Sequence, residues 1–180
     1  MRDPITVEDV MKSRMIATPL KLLDCCLVSD GAAAVVVSAP SHASAEGRKV
    51  AILGAGQGHT HEHISAAPSL THFGCEASAR QAFASAGVTP ADIDIAEIYD
   101  SFTITLAVEL ESMGFFGKGE AGHAATAGEL GPRGRLPCNT HGGLLSYGHS
   151  GAAGGMFHVV EAVHQLRGGA GPRQIDGATL

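Results

Sequence analysis

The amino-acid sequence predicts an α/β fold in which helices pack against a layered sheet. Two observations support this class: runs of aliphatic residues alternate with segments of helical spacing, and most core-forming side chains are small. Glycine contributes 24 of the 180 residues, aromatic residues make up 4%, and tryptophan is absent. Because small aliphatic side chains allow helices to approach a sheet closely, the composition agrees with the alternation.

The predicted elements follow from hydrophobic spacing along the chain. Strands are predicted where apolar residues form short runs, over 32–38, 49–57 and 95–99. Helices are predicted where apolar residues recur at helical spacing, over 5–13, 75–86, 102–113 and 151–167. The stretches 58–73 and 117–135 lack clear periodicity, and we expect them to be irregular.

Polar and glycine residues predict where several helices begin and end. Thr6 is the expected N-cap of the first helix, and Gly87 is expected to end the second. Asp100 and Ser101 are expected to cap the third helix, and Ser150 the last.

Composition and charge exclude several functional classes. The net charge is −6, the pI is near 5.9, and no run of lysine or arginine is present, which argues against non-specific nucleic-acid binding. No window approaches the roughly 20 apolar residues of a membrane span, and the N-terminus lacks a signal-peptide pattern. The four cysteines form no C-x-x-C pair, so a reducing cytoplasm is the simplest expected location.

A glycine-rich loop over 139–155 is the leading candidate for a functional site. Glycines allow unusual backbone shapes, and a helix N-terminus carries unpaired N–H groups that favour anions and developing oxyanions. His149 is expected at that helix start, with Tyr147 two residues before it. The alternative is a glycine-rich turn in which His149 is merely exposed.

Tyr99 is a second candidate, at the end of the predicted strand 95–99. Ligands of open α/β sheets collect at the carboxyl ends of strands, and a phenol with a pKa near 10 can donate or accept a proton. Tyr99 and Tyr147 are the only tyrosines in the chain. The alternative is a strand-end residue whose hydroxyl bonds to the backbone.

A histidine-rich stretch leaves metal binding open as a lesser hypothesis. Its members are His59, His61, His63 and His72. Zinc needs three or four ligands, but no cysteine lies at ligand spacing. A solvated loop, or one that covers a substrate, is the alternative.

Four stretches together resemble the motifs of one enzyme superfamily. They are Ser29–Ala34 (SDGAAA), Glu97–Phe102 (EIYDSF), Asn139–Gly143 (NTHGG) and Gly148–Gly154 (GHSGAAG). The chain resembles the thiolase superfamily, specifically the sterol-carrier-protein-type thiolases and their lipid-transfer-protein-named relatives. The likeness runs over almost the whole chain, and the last two motifs are specific.

The resemblance implies a fold and a domain organisation. It implies a thiolase-like layered α/β fold represented by its C-terminal half and truncated at both ends. Residues 1–28 would be a connecting segment from the absent N-terminal half. Residues 29–180 would be the C-terminal-type domain, incomplete at its end.

The resemblance also implies a substrate and site residues. The substrate would be a coenzyme A thioester, no metal is expected, and His149 would activate a cysteine thiol or polarise the thioester oxygen. The residues expected to bind the thioester around it are Gly148, Ser150, Gly151, His141 and Gly142. The family cysteines cannot be placed here, so Cys25, Cys26, Cys75 and Cys138 are assigned no chemistry.

Three departures from the family pattern bear on the reaction. Tyr99 stands where the family usually has Asn or His, Tyr147 where it has an aliphatic residue or Lys, and Ser150 where Pro commonly follows the His. One branch with such tyrosines resembles retro-aldolases that cleave β-hydroxy acyl-CoA thioesters of steroid side chains. Members of that branch work with a small OB-fold partner, and the superfamily implies a homodimer.

The expected function is therefore part of an acyl-CoA enzyme of the acyltransferase class. It would make or break a carbon–carbon bond next to the thioester, in lipid or steroid side-chain metabolism. One alternative is a retro-aldolase that uses Tyr99 and Tyr147 in place of a cysteine nucleophile. Another is a non-catalytic lipid or acyl-CoA binding module. The 180-residue chain alone is expected to be inactive and poorly soluble.

Overall fold

Six α-helices and one small antiparallel sheet organise residues 3–42 and 47–180, which are the residues that this computed structural model describes. The helices are α1 (Val7–Lys12), α2 (Cys75–Ala86), α3 (Thr103–Ser112), α4 (Ala121–Thr126), α5 (Gly143–Ser146) and α6 (Gly154–Arg167). The sheet pairs β1 (Met15–Ala17) with β2 (Leu20–Lys21). None of the helices in this part of the chain is long and apolar enough to cross a membrane.

The first two helices have the ends that the sequence predicts. Thr6 accepts a hydrogen bond from the Asp9 N–H at 3.2 Å, and the Asp9 carboxylate accepts one from the Thr6 N–H at 2.8 Å. This reciprocal arrangement is a capping box. Gly87 follows α2 with a φ of +70°, a conformation that glycine adopts without strain.

The predicted caps of the third and last helices are wrong. Phe102 precedes α3, and Asp100 turns away from that helix to bond elsewhere. Ser150 makes no capping bond, because a 3-10 turn over Gly151–Ala153 separates it from α6. The structure also places α4 inside the stretch expected to be irregular, where alanine favours helix formation.

Two of the three predicted strands are not paired in the structure. The prediction of a buried strand over 32–38 is wrong, since this stretch has no strand bonds and Val36 is 97% exposed. The stretch 49–57 runs along α2 instead of pairing with a strand. Its glycines permit this contact, because a Cβ on Gly56 would lie only 1.9 Å from the Ser78 carbonyl oxygen. Side chains of α2 also accept its N–H groups, as Gln81 does from Gln57.

The third predicted strand lies at the centre of the molecule. Ala96 and Ile98 are buried and pack with Leu110, Ala121 and Leu136 in a core built largely from aliphatic side chains. Ala96 pairs in parallel with residue 138: its N–H donates to the Pro137 carbonyl, and its own carbonyl accepts from the Asn139 N–H, each at 2.9 Å. This extended segment and the helices around it agree with the expected α/β class.

Candidate functional site

Side chains join the glycine-rich loop to the segment that carries Tyr99. Asn139 bonds to both backbone groups of Ile98, accepting from its N–H at 2.7 Å and donating to its carbonyl at 2.9 Å. The Thr140 N–H and hydroxyl both donate to Glu97 at 2.9 Å. Two segments about forty residues apart in sequence are thus held side by side without a regular sheet.

Asp100 fixes the shape of the loop around α5. Its carboxylate accepts from the Leu144 N–H at 2.6 Å and from the Leu145 N–H at 3.4 Å, at the N-terminus of this short helix. Asp100 is predicted to cap α3, but it lies here instead and is only 2% exposed. Burial raises the pKa of Asp100, and the two N–H donors oppose that rise. Gly143 makes room, because a Cβ there would lie 2.1 Å from the Asp100 carboxylate.

Tyr99 and His149, both predicted site residues, meet in a short hydrogen bond. The Tyr99 hydroxyl lies 2.5 Å from His149 Nε2, and the Gly151 N–H donates to His149 Nδ1 at 3.1 Å. Because Nδ1 is an acceptor, a neutral His149 carries its proton on Nε2 and donates it to the Tyr99 oxygen. The Tyr99 hydroxyl proton then remains available for another acceptor.

The surroundings of Tyr99 favour its protonated form. Burial raises its pKa, and the nearby acidic groups Cys26, Glu109 and Asp100 raise it further. The phenol is still 38% exposed, and it borders an open cavity of about 410 Å³ with His158 and apolar side chains. Because Tyr99 is partly exposed and protonated, its hydroxyl can donate a hydrogen bond to a ligand.

Backbone pairing fixes the position of His149. Its N–H donates to the Leu27 carbonyl at 2.8 Å, and its carbonyl accepts from the Ser29 N–H at 3.1 Å. Gly148 lies at φ +153°, where a Cβ would come within 2.5 Å of the Ser29 hydroxyl oxygen. The chain near residue 28 is therefore part of the support for the site.

Tyr147 lies in the same loop but is not in the Tyr99–His149 pair. Its ring packs edge-on against His141 and Phe157, with ring centroids 5.4 and 5.7 Å away, and it is 64% exposed. Its phenol is exposed and has no hydrogen-bond partner within the described part of the chain, so it is free to approach a substrate.

His141 belongs to a buried charged cluster that the sequence did not reveal. Its Nδ1 lies 3.0 Å from Glu97 Oε2, and Nδ1 of His158 lies 3.3 Å from the same oxygen. Burial opposes the ionisation of Glu97, but hydrogen bonds from His141, His158 and the Thr140 N–H outweigh it and lower its pKa to about 2. His158 Nε2 also lies 3.6 Å from Asp100.

The same three residues form a group that could hold a metal ion. One ligand atom from each of Glu97, His141 and His158 lies within 4.8 Å of the others, and His2Glu is a known zinc donor set. The loop histidines expected as the metal alternative do not converge in this way within the described residues. His61 packs on Phe73, and His72 pairs with Glu76.

A polar face of α6 extends the buried cluster. Glu161 Oε1 lies 2.9 Å from the Thr140 hydroxyl oxygen and shares that single proton with Glu97. Glu161 also pairs with Arg173 at 2.8 Å, and Gln165 donates to the Thr140 hydroxyl oxygen at 2.9 Å. Polar residues at positions 158, 161 and 165 share the core-facing side of α6. Polar residues at this helical spacing, on the side of α6 expected to face the core, were the signal in the sequence that could have revealed the cluster.

The remaining predicted loop residues shape the backbone more than they contact one another. Gly142 precedes α5 with a φ of +107°, and Gly151 has open space where a side chain would project. The Ser150 hydroxyl is buried and has no hydrogen-bond partner among the residues described.

Comparison with known proteins places this geometry in one family. Residues 56–180 match the family model described as thiolase C-terminal domain-like. The chain is 42% identical to a 17-hydroxy-3-oxo-4-pregnene-20-carboxyl-CoA lyase of Mycobacterium tuberculosis, over 92% of this chain and 44% of the lyase. It is 40% identical to an acetyl-CoA acetyltransferase of Methanothermobacter thermautotrophicus, over 98% of this chain and 46% of the relative.

A solved structure agrees with these sequence matches. The Ltp2-ChsH2(DUF35) aldolase superposes with a TM-score of 0.84 at 35% identity, covering 97% of this chain and 46% of the aldolase chain. The chain thus spans less than half the length of the proteins that it matches.

Proposed function

The chain belongs to the thiolase superfamily, and from that membership we propose that it is the C-terminal half of an enzyme that cleaves a carbon–carbon bond beside a coenzyme A thioester. The reaction class we favour is a retro-aldol cleavage of a β-hydroxy acyl-CoA. The observation that carries this choice is the Tyr99–His149 hydrogen bond, which leaves the phenol proton free to act on substrate.

The proposed reaction needs two proton-handling groups. A base removes the β-hydroxyl proton, the bond between the α- and β-carbons breaks, and its electron pair forms the thioester enolate. The enolate α-carbon then takes up a proton, which yields a carbonyl product and a shortened acyl-CoA. Tyr99 is assigned to donate to the thioester oxygen, because its environment keeps the phenol protonated. Tyr147 is assigned to take the hydroxyl proton and to return it to the enolate α-carbon, so the protons balance.

His149 has a positioning role in this scheme. Because its Nε2 proton is directed at Tyr99, it acts through that phenol and not directly on the thioester. Gly151 is assigned to give the thioester room, because open space lies where its side chain would project, whereas Gly148 and Gly142 are assigned to shape the loop around it. Ser150 offers an unpaired hydroxyl. His141 supports the Tyr147 ring from the buried cluster.

The test is turnover of a β-hydroxy acyl-CoA by the full-length protein and its Tyr99→Phe variant. Phenylalanine keeps the ring and removes the hydroxyl, so we expect kcat to fall about a hundredfold, as for loss of one oxyanion donor. Thr126→Val removes a hydroxyl on α4 and serves as the control, with turnover unchanged. If Tyr99→Phe and Tyr147→Phe both keep normal turnover, the roles assigned to the two tyrosines fail. If the wild type shows no turnover, the aldolase proposal fails and the binding-module alternative is favoured.

Acyl transfer is the second candidate, supported by the 40% identity to an acetyl-CoA acetyltransferase. It predicts cleavage of a β-keto acyl-CoA that depends on added coenzyme A. Retro-aldol cleavage needs no added coenzyme A, so one assay with and without it separates the two reactions.

We also propose that the complete enzyme is a homodimer that works with a small OB-fold partner. The structural neighbour is a complex named for two components, Ltp2 and ChsH2, which supports a partner for this chain. Co-expression with a candidate OB-fold protein, followed by size-exclusion chromatography, would detect the complex.

A further inference from the structure

Three side chains of the types that bind metal ions meet inside the molecule from three separate parts of the chain. Glu97 comes from the central extended segment, His141 from the glycine-rich loop and His158 from α6. One ligand atom from each lies within 4.8 Å of the other two. The side chains are only 5%, 6% and 5% exposed, so this group lies in the interior and is not a solvated polar patch.

Several polar atoms of this group are left without a good partner. Both ring nitrogens of His141 and Nε2 of His158 are buried and make no well-aligned hydrogen bond among residues 3–42 and 47–180. A buried polar atom without a partner is unfavourable, and such atoms are uncommon in folded proteins. An ion bound at a histidine nitrogen would supply the missing partner.

The distances at Glu97 match those between neighbouring ligands of one ion. Nδ1 of His141 lies 3.0 Å from Glu97 Oε2, and Nδ1 of His158 lies 3.3 Å from the same oxygen. Zinc binds nitrogen and oxygen ligands at roughly 2.0–2.2 Å, so two ligands of one tetrahedral ion lie about 3.3–3.5 Å apart. Both pairs therefore need only small shifts to bind a common ion.

The outer atoms of two of these side chains already have the contacts that orient metal ligands. Oε1 of Glu97 accepts from the Thr140 N–H at 2.9 Å, which leaves Oε2 to face the two histidines. Nε2 of His158 faces Asp100 Oδ1 at 3.6 Å. Histidines that bind a metal through one nitrogen commonly direct the other towards a carboxylate, which fixes the orientation of the ring.

We propose that Glu97, His141 and His158 bind a divalent transition-metal ion, and that this ion is zinc. Two imidazoles and one carboxylate are a donor set that suits zinc and not calcium or magnesium. Glu97 and His158 also line the open cavity of about 410 Å³, so water can reach the fourth position of a tetrahedral ion. This proposal revises the expectation, drawn from the family resemblance, that no metal is present.

The ion has a positioning role in this proposal. Its ligands join the central segment, the glycine-rich loop and α6, so it holds the loop that carries Tyr147 and His149 in place. His141 also packs edge-on against the Tyr147 ring, with the ring centroids 5.4 Å apart. In the metal-free protein the charge of Glu97 holds the same group together.

Zinc binding to the full-length protein, after its metal is removed with a chelator, tests the proposal. Isothermal titration calorimetry gives the stoichiometry and the Kd for the wild type and for His158→Gln, and circular dichroism verifies that each variant is folded. His164→Gln is the matched control, because it removes an exposed histidine from the same helix. His63→Gln, in the exposed part of the histidine-rich stretch, reports zinc bound by the surface histidines instead.

We expect one zinc ion per chain and a Kd at least about a hundredfold higher in His158→Gln, because loss of a ligand costs at least as much as loss of an outer contact. His164→Gln and His63→Gln should bind as the wild type does. Zinc should also raise the thermal unfolding midpoint of the wild type and not that of His158→Gln. The proposal is overturned if the wild type binds no zinc, if His158→Gln binds it equally well, or if His63→Gln abolishes binding.

A measurement without variants decides the case in which His158→Gln does not fold. Crystals of the zinc-loaded full-length protein give an anomalous scattering peak at the zinc absorption edge. A peak bonded to Glu97, His141 and His158 supports the proposal, whereas a peak only elsewhere, or none, overturns it. None of these readouts depends on cleavage of an acyl-CoA, so a failure of this site and a failure of the proposed function are distinguishable.

Discussion

Glu97 is the residue on which the buried charged cluster depends. Its folded-state pKa of about 2 lies below the ordinary value of 4.5, so its ionisation favours the folded state. The stabilisation is fully present above about pH 4.5 and is lost as the pH falls through 2. At neutral pH a shift of this size corresponds to about 3 kcal/mol of unfolding free energy.

Glu97→Gln should therefore destabilise the full-length protein by about 3 kcal/mol at pH 7 and by much less near pH 2. The variant leaves His141 and His158 without their shared negative partner. Urea unfolding across this pH range measures the difference. Glu8→Gln, which breaks only the exposed pair with Lys12, should have no measurable effect. An equal loss of unfolding free energy at every pH would show that packing, and not the charge of Glu97, stabilises the cluster.

Glu109 has the opposite sign of pH dependence. Its folded-state pKa of about 7 lies above 4.5, so the folded protein binds this proton more tightly than the unfolded chain. Stability then falls as the pH rises from about 4.5 to 7. Glu109→Gln should be more stable than the wild type by up to about 3 kcal/mol at pH 8 and no more stable at pH 4. Denaturant unfolding at both pH values measures this difference. A variant more stable than the wild type at pH 4 would contradict the prediction.

At the scale of single residues, sequence reasoning identified the candidate site residues more readily than the side chains that support them. Tyr99 was identifiable because it ends the predicted strand over 95–99. His149 was identifiable because it lies in the glycine-rich loop, directly before the predicted helix. Both signals come from residues a few positions away in sequence. Glu97 and His158 are 61 residues apart, and their contact depends on how α6 lies on the central segment. Local spacing cannot report such a contact, although the polar positions on the buried side of α6 indicate that some network exists.

Among the elements, α5 and its flanking loop are most sensitive to backbone geometry. Gly143 combines a φ of +62° with the close approach of the Asp100 carboxylate. An alanine there would be strained and would displace the group that bonds to the Leu144 N–H. The position of the loop that carries Tyr147 and His149 therefore depends on this one glycine.

Gly143→Ala should destabilise the full-length protein by at least about 2 kcal/mol and reduce turnover strongly. Gly122→Ala is the matched control, since Gly122 lies in α4 with open space around it and no positive φ. We expect that control to stabilise the protein by about 0.5–1 kcal/mol. Thermal unfolding and turnover of the two variants give the comparison, and equal effects would refute the argument.

Helices were easier to predict than strands in this chain, for a physical reason. A helix forms its backbone hydrogen bonds within itself. The apolar spacing over 75–86 and the glycine after it were therefore sufficient to predict α2 and its end. A strand needs a neighbour, and the apolar runs over 32–38 and 49–57 do not specify which one. In the second run, backbone N–H groups instead donate to side chains of α2, and its glycines lie close to that helix.

For the molecule as a whole, the unpaired apolar runs leave an exposed apolar surface. Val36 and Val37 are largely exposed, as are Ile52 and Leu53. Large exposed patches of this kind favour association. The chain also spans less than half of its relatives, in which further protein is available to cover such a surface.

The 180-residue chain expressed alone should therefore self-associate and show no turnover of a β-hydroxy acyl-CoA. Light scattering after size-exclusion chromatography would detect the association, and the full-length protein under the same conditions is the control. A soluble monomer with turnover comparable to the full-length protein would contradict this expectation.

The polar bonds that join residues 97–100 to the loop over 139–145 have a consequence for how this enzyme family diversifies. The side chains that hold the two segments together, from Asn139, Glu97 and Asp100, are different from the phenols assigned to react. Substitution at positions 99 and 147 can therefore alter the chemistry while the scaffold is inherited intact. Relatives of similar identity that carry the names lyase and acetyltransferase are what such a separation would produce over evolutionary time.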